Sequence, residues 1–230
     1  LRAPFPNWHK LIFIFSALPF YEYSVMARNY GISMLLLFLF ATLYQKRDKH
    51  PLLLGVILAT LANTNVHSTM LAGILAAIWL WDKISDKQRS QACATAKPRM
   101  LVLGGAFALI ALGGLAAIIV AMPDGDAIST QVFSLGPRKI LRAIFDRLTD
   151  PGGSFEEILP PLPPQLPSLL LWLLVAGLLI DRRMLVALLL ATLLLGTFFN
   201  TVYFGAFRHQ GILLVYAISL YWIARNRTDL

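Results

Sequence analysis

The sequence predicts an all-α protein: a polytopic transmembrane helical bundle, forming one integral membrane domain over residues 1–230. Hydrophobic residues make up 57% of the chain and charged residues only 14%, and the mean hydropathy is +0.67. This balance lies outside that of soluble domains. Apolar stretches of roughly 15 to 22 residues alternate with short polar links, which is typical of membrane helices rather than of barrel strands.

The apolar stretches define the expected spans. Residues 52–81 are apolar for about 30 residues, too long for one untilted span. The polar run from Asn63 to Ser68 therefore predicts two short helices that meet at an apex. Asp82 to Arg99 is expected to form a basic link, and the glycine pairs 104–105 and 113–114 to serve close helix packing. The spans are expected at residues 11–26, 30–45, 52–64, 67–81, 100–122, 168–180, 184–204 and 211–224.

The basic residues predict the orientation in the membrane. If the chain crosses the membrane at each expected span, fourteen of the 20 Lys and Arg residues lie on one side of the membrane. By the positive-inside rule this is the cytoplasmic side. We therefore expect a multi-pass protein of the cytoplasmic (inner) membrane. The basic residues lie mostly in links between spans rather than on one soluble face, so no nucleic acid is expected as a partner. The six remaining cations are Arg28, Arg138, Lys139, Arg142, Arg147 and Arg208.

Residues 123–167 are expected to form an outer, extramembrane loop. Within it, the residues from Pro137 to Leu148 alternate apolar and basic positions at helical spacing, which predicts an amphipathic helix that lies in the membrane interface. Its cations are expected to contact lipid headgroups. The proline-rich residues that follow predict an extended, irregular segment. The interfacial cations are Arg138, Lys139, Arg142 and Arg147.

Polar residues converge on the predicted outer face. A carboxylate, Glu22, precedes a set of cations, amides and rings that could bind a substrate with an apolar tail and an anionic head. A sugar linked to polyprenyl phosphate fits this description, because arginine binds phosphate through two parallel hydrogen bonds and a carboxylate can act as general base. The candidate substrate-binding residues are Arg28, Tyr30, Asn65, His67, Arg208 and His209.

The sequence gives little support for a metal site or a disulfide bond. Cys93 is the only cysteine, and no histidine or cysteine pattern has the spacing of a zinc site. No metal ligand is predicted, no cofactor is certain, and a need for a divalent metal is left open. The expected partners are membrane lipids and the lipid-linked sugar.

One stretch resembles a known family. Residues 23–30, Tyr-Ser-Val-Met-Ala-Arg-Asn-Tyr, are similar to the Tyr-Ser-x-x-Ala-Arg-Pro-Tyr stretch of the protein-mannosyltransferase-like (family 39-like) branch of GT-C membrane glycosyltransferases. The apex at Thr64 to His67 and the pair Arg208-His209 resemble later family features. The resemblance implies that Arg28 and Arg208 face the lipid phosphate and that Tyr30 and His67 lie near the sugar or the charged head.

Two departures from the family pattern leave the catalytic residue unknown. The family places an acidic catalytic residue in its first outer loop, which has no counterpart here, so we expect an N-terminal portion before Leu1. Met26 stands where the family often has a carboxylate, and Glu22 is a weak candidate, best suited to local pairing or orientation. The leading hypothesis is a glycosyltransferase. A transporter or flippase for an amphipathic anion, or a non-catalytic membrane subunit, stays open as an alternative.

Overall fold

The protein is helical throughout the part that the structure describes. The computed structural model describes residues 3–26, 28–89, 97–122, 136–159, 162–163 and 165–228, and it contains no strand in these ranges. A π-helical segment covers Leu18–Met26. The all-α prediction is confirmed. The α-helices are α1 (Asn7–Ile14), α2 (Arg28–Leu43), α3 (Pro51–Ala62), α4 (Val66–Arg89), α5 (Lys97–Ala121), α6 (Pro137–Thr149), α7 (Gln165–Ala176), α8 (Arg182–Thr201) and α9 (Phe207–Thr228).

Four helices, α2, α4, α8 and α9, share two polar ends. Tyr30, His67 and His209 meet at what we call the histidine end, where α2, α4 and α9 begin and α8 finishes. Tyr44 and Asp82 meet at the opposite, aspartate end. At 1.5 Å per residue, the helices hold the two ends about 21–27 Å apart. The helix segments between them pack through buried apolar side chains.

The aspartate end is built on one carboxylate. Asp82 is fully buried and accepts a hydrogen bond from the Tyr44 hydroxyl at 2.8 Å. It also pairs with Arg183, with Arg227 at 3.4 Å and with Arg47 at 3.6 Å. We call these five residues the aspartate hub. Because its members come from α4, α8, α9 and the turn after α2, the hub fixes the register of all four helices.

A second carboxylate extends the hub. Asp181 caps α8 by accepting from the backbone N–H of Arg183 at 3.1 Å, and it pairs with the Arg227 Nε at 3.3 Å. The Arg227 guanidinium therefore bridges the two carboxylates.

Small residues join α3 and α5. A Cβ built on Gly55 would lie 2.9 Å from the Ala106 Cα, and one on Gly113 would lie 2.9 Å from the Ala59 Cα. The backbones approach so closely that a side chain has no room there. Gly104 and Gly114, by contrast, have no atom within 4 Å of a built Cβ. The prediction that both glycine pairs serve packing is thus wrong for these two members.

Among the described residues, two helical segments are long and apolar enough to cross a membrane: residues 100–121 of α5 and residues 182–201 of α8. They differ in their surroundings, because only 6% of the first segment is buried and 44% of the second. A helix as apolar as α5 with so little burial is not the core helix of a soluble domain. These findings make the protein compatible with membrane association.

Several expected boundaries change in the structure. The break at Asn63 to Ser68 is confirmed between α3 and α4, and the amphipathic helix is confirmed as α6. The prediction of a link from Asp82 to Arg99 is wrong at both ends, because α4 continues through Arg89 and α5 starts at Lys97. Residues 11–26 are divided between α1 and the π-helical segment rather than forming one helix. The helix α7 begins at Gln165, inside the proline-rich segment that was expected to be extended.

Removing the charge of Asp82 should destabilise the protein. Asp82→Asn keeps the shape of the side chain but removes the charge that faces the partly buried Arg47, Arg183 and Arg227. Such a loss costs about 3–5 kcal/mol in fully buried pairs and somewhat less here, because Arg227 keeps its pair with Asp181. The matched control is Asp48→Asn, because Asp48 pairs with Lys83 at an exposed site, where such pairs contribute about 0–1 kcal/mol. Thermal unfolding of the detergent-solubilised protein measures both. Equal melting temperatures for the two variants would contradict the hub's role.

The two neighbouring glycines of α5 give a second matched comparison. Gly113→Ala should lower the melting temperature, because the methyl group forces α3 and α5 apart at a cost of about 1–3 kcal/mol. Gly114→Ala faces open space and should leave stability unchanged or raise it, since Ala exceeds Gly in helix propensity by about 1 kcal/mol. The same unfolding measurement decides, and a destabilised Gly114→Ala protein would contradict the packing described.

Candidate functional site

Three side chains from three helices meet at the histidine end. The Tyr30 hydroxyl lies 2.9 Å from His67 Nδ1. The His209 ring centroid is 5.5 Å from those of both Tyr30 and His67. We call these residues the Tyr–His cluster. All three side chains are buried, so the cluster is a closed contact between helices rather than a set of surface groups.

The position of His67 follows from how α4 begins. Asn65 is the residue before the helix, and its Oδ1 accepts from the backbone N–H of Ser68 at 2.9 Å, as an N-cap does. Its Nδ2 donates to the Ser33 hydroxyl on α2 at 3.0 Å. The fully buried Ser68 also donates to Ser33, at 2.9 Å. Asn65 and the two serines therefore fix the first turn of α4 against α2, and His67 lies in that turn.

The position of His209 follows from the start of α9. Its Nδ1 accepts from the Ala206 backbone N–H at 2.9 Å, so the neutral ring carries its proton on Nε2. Tyr23, in the π-helical segment, donates its hydroxyl to the Arg208 carbonyl at 2.9 Å and stacks on Tyr30 with ring centroids 5.7 Å apart. The π-helical segment thus brings residues 18–26 onto the same end as α9.

One cation beside the cluster has no ion-pair partner in the described part of the chain. The half-buried Arg208 guanidinium makes no hydrogen bond or ion pair with any described residue, yet its charge acts on both Tyr30 and His209. Burial, followed by the Arg208 charge, lowers the pKa of His209, which precedes the apolar segment of α9. The histidine end therefore carries a cation beside an imidazole that is harder to protonate than a free one.

Aromatic rings and a folded loop cover the cluster. His67 contacts Phe198 and Phe199, with ring centroids 5.3 and 5.2 Å away. Phe199 in turn meets the fully buried Phe155 edge-on at 5.7 Å. The loop that carries Phe155 is attached to α9, because the Glu157 backbone N–H donates to the Gln210 Oε1 at 2.9 Å. His67 Nε2 is buried under this cover and has no hydrogen-bond partner in the described part of the chain.

The structure brings together some of the predicted residues and assigns others elsewhere. Tyr30, His67, Arg208 and His209 lie together. Asn65 uses both amide atoms within the protein, so its observed contacts are those of a helix cap. Arg28 begins α2, two residues before Tyr30, and its side chain lies outside the described residues.

Glu22 has an expected local pairing that stays a prediction, because the nearest cation in sequence, Arg28, has its side chain outside the described residues. Its half-buried carboxylate makes no ion pair or hydrogen bond with the described residues. It precedes Tyr23, so the π-helical segment carries it to the histidine end, although it does not contact the Tyr–His cluster.

The four predicted interfacial cations lie on α6 in two environments. Arg138, Lys139 and Arg142 are exposed. Arg147 points into the protein instead, where its Nη1 donates to the Ser154 hydroxyl at 2.8 Å. The expectation of four cations facing headgroups is therefore wrong for Arg147. Its position is fixed by tertiary contact with the chain that follows α6.

A groove of about 250 Å³ lies beside the apex between α3 and α4. One wall carries amide and hydroxyl side chains of the apex, and the other is apolar and belongs to the end of α5. Such a groove suits an amphipathic molecule better than a wholly polar one. The lining includes Asn63, Thr64, Asn65, Val66, Ala117 and Val120.

Long-range partners were missed by sequence reasoning. Phe199 and Phe155, which cover His67, lie in segments predicted only as a span and an irregular loop. Asp82 was assigned to a solvent-exposed link. The sequence does contain an indication that Asp82 is paired. A lone carboxylate directly after the apolar residues 69–81 needs a partner if its helix continues.

No group of three or more potential metal ligands occurs within the described ranges. No family model matches the sequence, and neither curated proteins nor solved structures provide a match.

Loss of the Tyr30 hydroxyl should destabilise the histidine end. Tyr30→Phe leaves His67 Nδ1 buried without its partner, which costs about 1–3 kcal/mol. Tyr203→Phe is the matched control, because Tyr203 is half exposed and packs on His209 without a hydrogen bond from its hydroxyl to any described residue. Thermal unfolding in detergent should show a clear loss only for the first variant. A comparable loss in both would argue against the Tyr30–His67 bond.

Proposed function

We propose that the chain is a polytopic helical protein of the cytoplasmic membrane, with the histidine end outward and the aspartate end toward the cytoplasm. The spacing of about 21–27 Å between two polar ends suits a hydrocarbon core about 30 Å thick. The exposed apolar surface of α5 supports the same proposal. Charged side chains at the aspartate end then lie at the side that the basic residues favour.

We further propose that the protein transfers a sugar from a polyprenyl-phosphate donor to an acceptor at the outer face. The observation that carries this proposal is the Arg208 guanidinium, unpaired with any described residue, beside a buried Tyr–His cluster. A cation in this position suits a phosphate whose lipid tail remains in the membrane. The amphipathic groove beside the apex and the resemblance of residues 23–30 to GT-C glycosyltransferases also support it.

The proposed reaction assigns few roles. The acceptor hydroxyl attacks the anomeric carbon of the sugar and loses its proton to a carboxylate as the carbon–oxygen bond to phosphate breaks. The polyprenyl phosphate leaves with the bonding electron pair, and Arg208 stabilises its charge. Tyr30, His67 and His209 position the charged head. Among the described carboxylates, Glu22 is the candidate base at this end, because its oxygen atoms have no partner among the described residues.

A transporter of amphipathic anions is the second candidate. It is favoured by one observation: within the described ranges no carboxylate is hydrogen-bonded to the Tyr–His cluster or paired with Arg208. Transport needs cations that bind the head and no general base, so the same site would suffice.

Arg208 provides the decisive test. The full chain is reconstituted into liposomes with polyprenyl-phosphate mannose that carries a radiolabelled sugar, and both binding and sugar release are measured. Arg208→Gln should weaken donor binding at least about tenfold, because it removes a charge-assisted contact to phosphate. Arg182→Gln is the control, since Arg182 is exposed at the aspartate end.

The outcomes separate the candidates. Release of the sugar that depends on Arg208 supports the transferase. Movement of intact donor across the bilayer without cleavage supports the transporter. Equal binding by the wild type and by Arg208→Gln would refute the role given to Arg208 in both proposals.

A further inference from the structure

The helix α6 presents three different faces, and its rotation about its own axis is fixed. One face contacts α8, where Ala143 is buried and the Arg147 Cδ would lie 3.5 Å from a Cβ built on Gly196. The Ser154 hydroxyl that accepts from Arg147 donates to the Gly196 carbonyl at 3.0 Å. Because this bridge ties α6 to α8 near the histidine end, the directions of the other two faces follow from helix geometry.

The second face is apolar and uncovered by the described residues. Leu141 is 66% exposed, Phe145 is 65% exposed and Leu148 is 44% exposed. With successive residues 100° apart, these side chains cluster in one sector about 60° wide, roughly 150° around the helix from the α8 contact. A contiguous apolar sector on a helix that otherwise carries many charges marks a surface that something apolar covers.

The third face is cationic. Arg138, Lys139 and Arg142 are exposed in the sector that borders the apolar one, between it and the α8 contact, and Asp146 lies among them and offsets one charge. The cations and the apolar side chains therefore form adjacent sectors of one helix, about 100° apart from centre to centre. A partner with an apolar interior and an anionic surface would complement both the apolar and the cationic face of α6.

We propose that α6 docks on the surface of an anionic bilayer. Leu141, Phe145 and Leu148 enter the acyl boundary, and the three cations bind phosphate headgroups of anionic phospholipids. The charge complementarity of the cationic sector selects this occupant over a neutral membrane or an apolar protein groove. The inference goes beyond glycosyl transfer and needs only that the bundle is embedded in a membrane, so it can hold whether or not Arg208 binds a lipid-linked sugar.

A fluorescent reporter on α6 tests the proposal in the full chain. Cys93 is the only cysteine, so a Cys93→Ser protein with Phe145→Cys accepts one polarity-sensitive label. The labelled protein is reconstituted into vesicles of phosphatidylcholine alone or with about a third phosphatidylglycerol, a content that gives an anionic surface. Quenching by lipids with a spin label on the acyl chain reports insertion of the labelled face.

Quenching should be at least about twofold stronger in the anionic vesicles at low salt, because each cation near such a surface contributes about fivefold to the docking equilibrium. The triple variant Arg138→Gln, Lys139→Gln, Arg142→Gln should lose this difference. A matched triple variant, Lys46→Gln, Lys49→Gln, Arg182→Gln, removes the same charge from exposed sites at the other end and should retain it.

Three results would overturn the proposal: equal quenching in the two vesicle types, an anionic preference that survives removal of the three cations, or a water-like emission in both membranes. The last would mean that another protein, rather than lipid, covers the apolar sector. A second reporter at Leu141→Cys repeats the measurement in case the label at Phe145→Cys prevents folding.

Discussion

A single buried carboxylate sets the relation between four helices. Asp82 has no solvent exposure, so its charge must be met by the protein, and Arg47, Arg183 and Arg227 meet it from three other elements. Apolar packing between helices tolerates small slides along their axes, whereas ion pairs and hydrogen bonds of fixed length do not. The hub therefore determines which residues of α2, α4, α8 and α9 reach the opposite end side by side.

The geometry of the Tyr–His cluster depends on that constraint. Tyr30, His67 and His209 come from three of the helices that the hub joins, about 14 to 18 residues away along each. A slide of one helix by a single residue would move its side chain about 1.5 Å along the axis and rotate it by 100°. That displacement would break the 2.9 Å contact between the Tyr30 hydroxyl and His67 Nδ1.

Local features of the fold could be predicted from the sequence, and distant ones could not. The amphipathic α6 and the break between α3 and α4 follow from spacing and from polar side chains within a few residues. The pairs of Asp82 with Arg183 and Arg227 join residues 101 and 145 positions apart, and no local pattern specifies them. Asn65 shows that the same is true at the site. Its position in the sequence fits a substrate-binding residue as well as a helix N-cap, and in the structure it forms the N-cap.

The cover over His67 has a consequence for how any molecule reaches it. Phe199 contacts the imidazole, Phe155 packs on Phe199, and the bond from Glu157 to Gln210 ties that loop to α9. A ligand that arrives from the water above must open this lid and expose two phenyl rings. Under the proposed function, a donor dissolved in lipid would approach from the side of the bundle and leave the lid closed. The proposed function therefore includes a route of entry as well as a chemistry of binding.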